Sequence, residues 1–327
     1  MSSILPDTMA EYDSELTRLV EQVNRSAKGP TADETKLLDQ FLTVAVQRGA
    51  SDLLLVAGSP AIFRVNGALS SGVGQTLSPA ELRSIVLPIL DPPQHEELQE
   101  RRSIDLCFER KTIGRFRAIY RYQRGTLAAA IRLWPERVPS LESLHLPPGL
   151  AVLAERRQGL VLLTGPTGCG KSSTLAALVD LINTQRRDHI ITIEAPIEYQ
   201  HPNRNSIVKQ IELGHDTPSF VEAVRAALRQ DPNVILIGEM RDSETMSAAL
   251  TAAETGPLVL SSLHTNDAVQ TVLRILDIFP STYQSQIRQQ LSLALLAVIS
   301  QRLIPRQLGP GVIPPSRSCS LTARYGI

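Results

Sequence analysis

The sequence predicts an α/β fold in two parts: a C-terminal domain built on a parallel sheet, preceded by a smaller α+β domain. Three observations carry this. Apolar runs without polar alternation at residues 160–164, 190–194, 234–238 and 258–263 are what strands buried on both faces look like. Helical patterns at 172–183, 218–229 and 243–254 separate them, and such alternation argues a parallel sheet covered by helices. The 327 residues suit two domains better than one, and the region before the first run follows a different pattern of short strands and turns.

Taken in order, residues 1–34 read as an N-terminal appendage, helical or disordered, with Leu16, Leu19, Val20 and Val23 as a single stripe before Lys28-Gly29-Pro30. The α+β domain spans 35–138. Its first helix carries Leu37, Leu38, Phe41, Leu42, Ala45 and Val46. Strands at 51–56 and 61–65 follow, then a turn at Asn66-Gly67. Ser78-Pro79 opens a helix as N-cap and first-turn proline. Runs at 105–108, 114–122 and 126–133 read as strands of one antiparallel sheet. A proline-punctuated linker covers 139–149, and the parallel-sheet domain occupies 150–306. After the last of its four strands come helices at about 267–276 and 282–303. The tail, 307–327, is rich in Pro, Gly and Ser without periodicity and is expected to be irregular.

Composition narrows the function classes. Lysine plus arginine and aspartate plus glutamate both total 33, so no global field draws the chain to nucleic acid or anionic lipid. Three widely spaced cysteines, Cys107, Cys169 and Cys319, make neither a disulfide framework nor a zinc site and fit a reducing compartment. The longest apolar run, 291–299, is interrupted by Ser292 and too short to span a membrane. A soluble cytoplasmic protein, meeting membranes only through partners, is the expectation.

The chemistry centres on Gly165-Pro166-Thr167-Gly168-Cys169-Gly170-Lys171-Ser172, which satisfies G-x-x-x-x-G-K-[ST] between an apolar strand and an amphipathic helix. Glycines let the backbone curl so that successive N–H groups face phosphate oxygens, and the helix N-terminus adds partial positive charge. Lys171 is expected to reach the β/γ-phosphates of ATP and Ser172 to ligate Mg²⁺; with Ser173 this run forms the binding set. Glu239 ends the strand 234–238 and places a carboxylate beside that loop, suited to activating water. Glu194 and Glu198 flank the end of the 190–194 run, where they can hold Mg²⁺ through water or orient the nucleophile. His264 closes the next strand, a position suited to sensing a γ-phosphate. Arginines in the first domain can neutralise transition-state charge.

Taken together, TGPTGCGKSSTLAAL, HIITIEAPIEYQH, RAALRQDPNVILIGEMRDSETMSAALTAAETG and LHTNDAVQTVLRILDIFP resemble the type II/IV secretion ATPases, nearest to the PilT-like pilus-retraction (twitching motility) branch. QRGASDLLLVAGSPAIFRVNG and GRFRAIYRYQRG resemble that branch's N-terminal PAS-like domain. The resemblance spans residues 37–306. It implies a RecA-like P-loop ATPase domain in a homohexameric ring, where ATP hydrolysis drives domain rotation against an inner-membrane pilus or secretion platform protein. By motif match Gly165 to Ser172 is the Walker A element, Glu194 to Glu198 the Asp box, Glu239 the Walker B glutamate and His264 part of the His box. Arg117 and Arg132 match the nucleotide-sensing arginines. The extension and secretion branches usually carry a tetracysteine zinc insertion that is missing here, which points to the retraction-like branch. The chain departs from the pattern at Ala195, where the Asp box has aspartate, at Pro257, where the His box has its first histidine, and at Leu54, where the motif S-D-L-H-L has histidine. Beyond Arg306 the pattern's C-terminal element is unrecognisable. Losing a positioned carboxylate can slow hydrolysis by about 10²–10³. A nucleotide-binding assembly subunit with weak or no hydrolysis is therefore the alternative to an active motor; a RecA-like helicase finds no basic-aromatic stripe to support it.

Overall fold

The computed structural model describes residues 34–70, 72, 74–305, 312–313 and 320–321. The chain divides into two compact units between Glu136 and Arg137. The predicted appendage lies outside the described residues except for its last position.

In the first unit α1 (Glu34–Gln47) leads into β1 (Asp52–Val56), β2 (Ile62–Val65) and β3 (Ala68–Leu69). The β2–β3 turn uses Asn66 and Gly67, both at positive φ (50° and 83°), as an Asn-Gly hairpin requires. α2 (Pro79–Val86) begins with a capping box between Ser78 and Glu81, the local signal for a helix start. α3 (Pro92–Arg101) was not expected from the pattern, because its only buried residue is Leu98; a second capping box, between Asp91 and Gln94, specifies it instead. β4 (Ser103–Arg110), β5 (Gly114–Gln123) and β6 (Thr126–Leu133) complete a six-stranded sheet of order β3-β2-β1-β6-β5-β4. Its described pairings are antiparallel. Leu53, Leu55, Phe116, Ala118, Tyr120 and Ile131 face one buried core with Leu38, Leu42, Leu82 and Ile85 from the helices.

The second unit opens with a short 3₁₀ turn (Pro148–Leu150) and α4 (Ala151–Glu155). Leu146 and Leu150 are buried in its core, so part of the stretch read as a linker, 139–149, packs into this unit. β7 (Gly159–Thr164), α5 (Lys171–Gln185), β8 (His189–Glu194), β9 (Ile207–Glu212), α6 (Phe220–Leu228), β10 (Val234–Ile237), α7 (Ser243–Thr255), β11 (Leu258–Leu263), α8 (Ala268–Asp277) and α9 (Gln284–Ala294) follow. Then come β12 (Leu295–Ser300) and the short β13 (Ile304–Pro305), β14 (Val312–Ile313) and β15 (Ser320–Leu321). The main sheet has the order β15-β12-β7-β11-β10-β8-β9. Its strands β12, β7, β11, β10, β8 and β9 run parallel, and β15 is antiparallel. One sheet face packs Leu160, Ile193, Ile235 and Val259 against α6, α7 and α9. The other packs Val161, Ile190, Leu236 and Leu260 against α5 and α4. Burial on both faces explains the unbroken apolar runs.

Two further expectations are corrected, and one strand has no counterpart among them. The single helix expected over 282–303 is α9 followed directly by β12. The backbone leaves the helical region at Leu295 (φ −69°, ψ 114°), and the strand pairs with β7. The LALLAVIS run has too little polar surface for an exposed helix face, and as a strand it is buried at Ala297, Val298 and Ile299. β9, in the polar-apolar run IVKQIE, went unseen; it is the edge strand, and two of its amides are met by side chains instead of a strand. Val208 N donates to Asn203 Oδ1 and Glu212 N to Asp216 Oδ2, each at 2.8 Å. The tail is not wholly irregular, since β14 pairs with β13 and β15 with β12; its remaining residues lie outside the described ones. Among the described residues no helix is long and apolar enough to cross a membrane.

Candidate nucleotide site

Strand β7 is buried along its whole length and ends at Thr164, from which residues 165–170 turn into α5. Gly165, Gly168 and Gly170 adopt positive φ (145°, 78° and 89°), which side-chain-bearing residues rarely tolerate. α5 starts from Gly170 without any side-chain cap, so its leading N–H groups are left for an external acceptor. Lys171 is buried and its Nζ donates to Gly165 O at 2.8 Å and Pro166 O at 3.0 Å. Burial pushes its pKa down, while Cys169, Glu239 and Glu198 pull it back up. A desolvated ammonium facing two acidic residues, beside uncapped amides, is a cradle suited to a polyphosphate.

Ser172 Oγ donates to Glu198 Oε1 at 3.2 Å, and Ser173 Oγ meets Tyr199 Oη at 2.8 Å. Burial raises the Tyr199 phenol's pKa. Among the described residues no group of three or more His, Cys, Asp or Glu could hold a metal ion by itself. Ser172 and a nearby carboxylate still fit Mg²⁺, which commonly takes one or two protein ligands and completes its shell with phosphates and water.

Glu239 follows β10 through Gly238. Its Oε1 is 2.6 Å from an Arg241 guanidinium nitrogen and its Oε2 is 3.2 Å from His264 Nε2, so side chains from the ends of neighbouring strands β10 and β11 meet. Thr164, at the end of β7, is hydrogen-bonded to Thr265, the residue after His264. Glu194 is more secluded. Thr192 Oγ1 donates to its Oε1 at 2.7 Å and Gln210 Nε2 at 3.3 Å. Burial, opposed by those two bonds and reinforced by Glu198 and Glu212, raises its pKa to about 7. Ala195, which joins Pro196 by a cis peptide, is exposed.

Of the expected residues, Lys171, Ser172, Glu198, Glu239 and His264 therefore gather around the loop, with Glu194 behind them. Arg117 and Arg132 belong to the first unit, cross-strand neighbours on β5 and β6. Arg117 pairs with Asp105 at 2.6 Å and Arg132 with Asp52 at 3.0 Å. Sequence reasoning missed Tyr199, Arg241 and Gln301. Arg241 lies two positions after Glu239 and Tyr199 one after Glu198, so adjacency was the available signal; Gln301 had none, being hidden in the supposed helix.

The pKa of Glu194 has a consequence for stability. Its folded-state value of about 7 lies above the ordinary 4.5, so the folded chain holds the proton more tightly and stability falls as pH rises through that window. Between pH 5.5 and 8.5 the parent is expected to lose about 2 kcal/mol more than Glu194→Gln. Urea unfolding at the two pH values checks this; parallel losses would place the ionisation elsewhere.

A family model described as "Type II/IV secretion system protein" matches residues 142–311. The chain belongs to this family. Among curated relatives of the type II/IV secretion system proteins, the "Type IV pilus retractation ATPase PilT" of Pseudomonas aeruginosa is 40% identical over 274 residues, 84% of this chain and 79% of that one. The "Type IV pilus ATPase PilU" of the same organism is 41% identical over 273 residues, 84% and 72% of the two chains. The "Twitching motility protein" of Neisseria gonorrhoeae is 42% identical over 276 residues, 84% and 73%. Among solved structures, the pilus retraction motor PilT with bound ADP aligns at a TM-score of 0.78 with 45% identity, covering 84% of this chain and 80% of that one. The ATPase DotB of Legionella pneumophila aligns at 0.77 with 28% identity, covering 88% and 81%.

Proposed function

We propose that this chain is an ATP-hydrolysing motor subunit of a type IV pilus, retraction-like, or of a type II/IV secretion machine. It is a P-loop ATPase. The observation that carries this reading is the meeting of Lys171, Ser172, Glu198, Glu239 and His264 at the carboxyl ends of adjacent parallel strands, where such sheets bind ligands. The loop amides and Lys171 bind the phosphates of ATP. Ser172 offers its hydroxyl to the metal, and Glu198 and Glu194 support it through water or orient the nucleophile. With Mg²⁺ bound beside the nucleotide, charge on the phosphate oxygens would be neutralised. Glu239, oriented by Arg241 and His264, accepts the proton of the attacking water. His264 reports on the γ-phosphate position.

The first unit is assigned as PAS-like, with Arg117 and Arg132 as nucleotide-sensing arginines, on motif resemblance. The same resemblance, together with the ATPase relatives, supports a homohexameric ring in the cytoplasm, working against an inner-membrane platform protein through domain rotation. Nucleic acid is not expected as a partner.

A second reading is a nucleotide-binding assembly subunit of the same machinery with weak or no hydrolysis. Ala195 favours it, because it leaves the site one carboxylate short while desolvation raises the pKa of Glu194 to about 7. Phosphate release from the purified protein with MgATP separates the two. Steady multiple turnover is expected and sinks the assembly reading. Absence of turnover, restored by Ala195→Asp at the exposed position, would establish the assembly reading in its place.

A further inference from the structure

Gln301 follows the last residue of β12 and is only 3% exposed. Its backbone N–H donates to Thr164 O at 2.8 Å, the carbonyl from which the phosphate loop departs. Its side-chain Oε1 accepts from Thr174 Oγ1 at 2.8 Å, and the same hydroxyl lies 3.1 Å from Gly170 O. A Cβ built at Gly165 would stand 2.2 Å from Gln301 O, and one at Gly170 would stand 2.9 Å from Gln301 Nε2. Both ends of the loop thus lie against one residue, and two of its glycines are needed for that approach whether or not a ligand is present. The preceding residue, Ser300, donates to Asn266 O at 2.9 Å, in the segment after His264.

A buried primary amide is costly unless its polar atoms find partners; here the amide oxygen is met by Thr174 in the first turn of α5, while the backbone N–H of the same residue holds the carbonyl from which the loop departs. We infer that Gln301 is a positioning residue of the nucleotide site, holding loop 165–170 and the first turn of α5 in the arrangement that receives a polyphosphate. This rests on the nucleotide reading of the site. Gln301 acts through the loop and needs no contact with the ligand. Without the brace, the loop has more conformations to give up on binding. The loss therefore falls on affinity for ATP and ADP alike, and the hydrolytic step governed by Glu239 is largely spared.

The test pairs Gln301→Met, close in length but without the amide, with Thr174→Val, which removes the same bond from the helix side. Thermal melts establish that each variant is folded. MgADP affinity is expected to weaken about tenfold in either, the scale of one buried hydrogen bond left half-made. The double variant is expected to be no weaker than the weaker single one, and KM for ATP to rise while kcat stays within about twofold of the parent. An unchanged Kd in folded Gln301→Met, losses that simply add in the double variant, or a fall in kcat at unchanged KM would each overturn the assignment. If Gln301→Met does not fold, Thr174→Val decides: a parental Kd there also overturns it. A parent protein that binds no MgADP would fail the nucleotide reading itself, a distinct result.

Discussion

Glu239→Gln lowers ATP turnover by about 10²–10⁴-fold, the usual contribution of a positioned proton acceptor, while nucleotide affinity stays within about twofold. The expectation follows from how the residue is held. One carboxylate oxygen meets Arg241 and the other His264, which fixes the group's orientation and leaves lone pairs for a water. Glutamine keeps the shape but puts an amide nitrogen toward one of those donors and cannot take a proton. Affinity is set chiefly by the loop and Lys171; the substitution removes one nearby carboxylate but leaves the loop amides and the ammonium's bonds to Gly165 O and Pro166 O in place. Single-turnover phosphate release alongside equilibrium MgADP binding reads the two effects separately. Unchanged turnover would remove Glu239 from the water-activating role.

Lys171→Met weakens ATP and ADP binding by about 10²-fold, or roughly 2.7 kcal/mol, the scale of a charge-assisted hydrogen bond removed from a secluded site. Methionine keeps much of the length and apolar stem of the side chain without the charge. Two contributions vanish together: the ammonium's attraction for phosphate, and its tie to the carbonyls of Gly165 and Pro166. The measurement is the rise in melting temperature on adding MgADP, which reports binding to the folded state. The parent is expected to show a clear rise and Lys171→Met almost none at the same concentration. An equal rise in both would mean that the nucleotide binds elsewhere.

Some parts of this fold and site are legible in the sequence and others are not, for physical reasons. The phosphate loop is contiguous, and its glycines, lysine and flanking periodicity all belong to one short segment, so nothing distant is needed to recognise it. Glu239 and His264 were legible because each ends an apolar run, and parallel strands bring such ends to one edge. β12 was not. A continuous apolar run of six to eight residues fits a buried strand or the end of a helix equally well by period. Only the edge of β7 that this run comes to cover, a tertiary fact, decides between them. With β12 misassigned, Gln301 could not be seen beneath the loop. The depth of Glu194 was likewise invisible, because its burial depends on Gln210 from β9, a strand whose polar-apolar run gave too weak a signal. In the first unit α3 escaped notice because capping chemistry, and not an apolar stripe, specifies it.

Asn203 and Asp216, each holding an outward amide of β9, have a bearing on how copies of this protein can meet. An uncovered margin of a parallel sheet is a template onto which another molecule's backbone can zip, and repeated zipping ends in fibres. With two of its donors already satisfied from within, that margin offers a poor start for such growth. Molecules crowded together are thereby steered toward meeting through side-chain surfaces, which can be closed and reversible, and away from open-ended polymerisation.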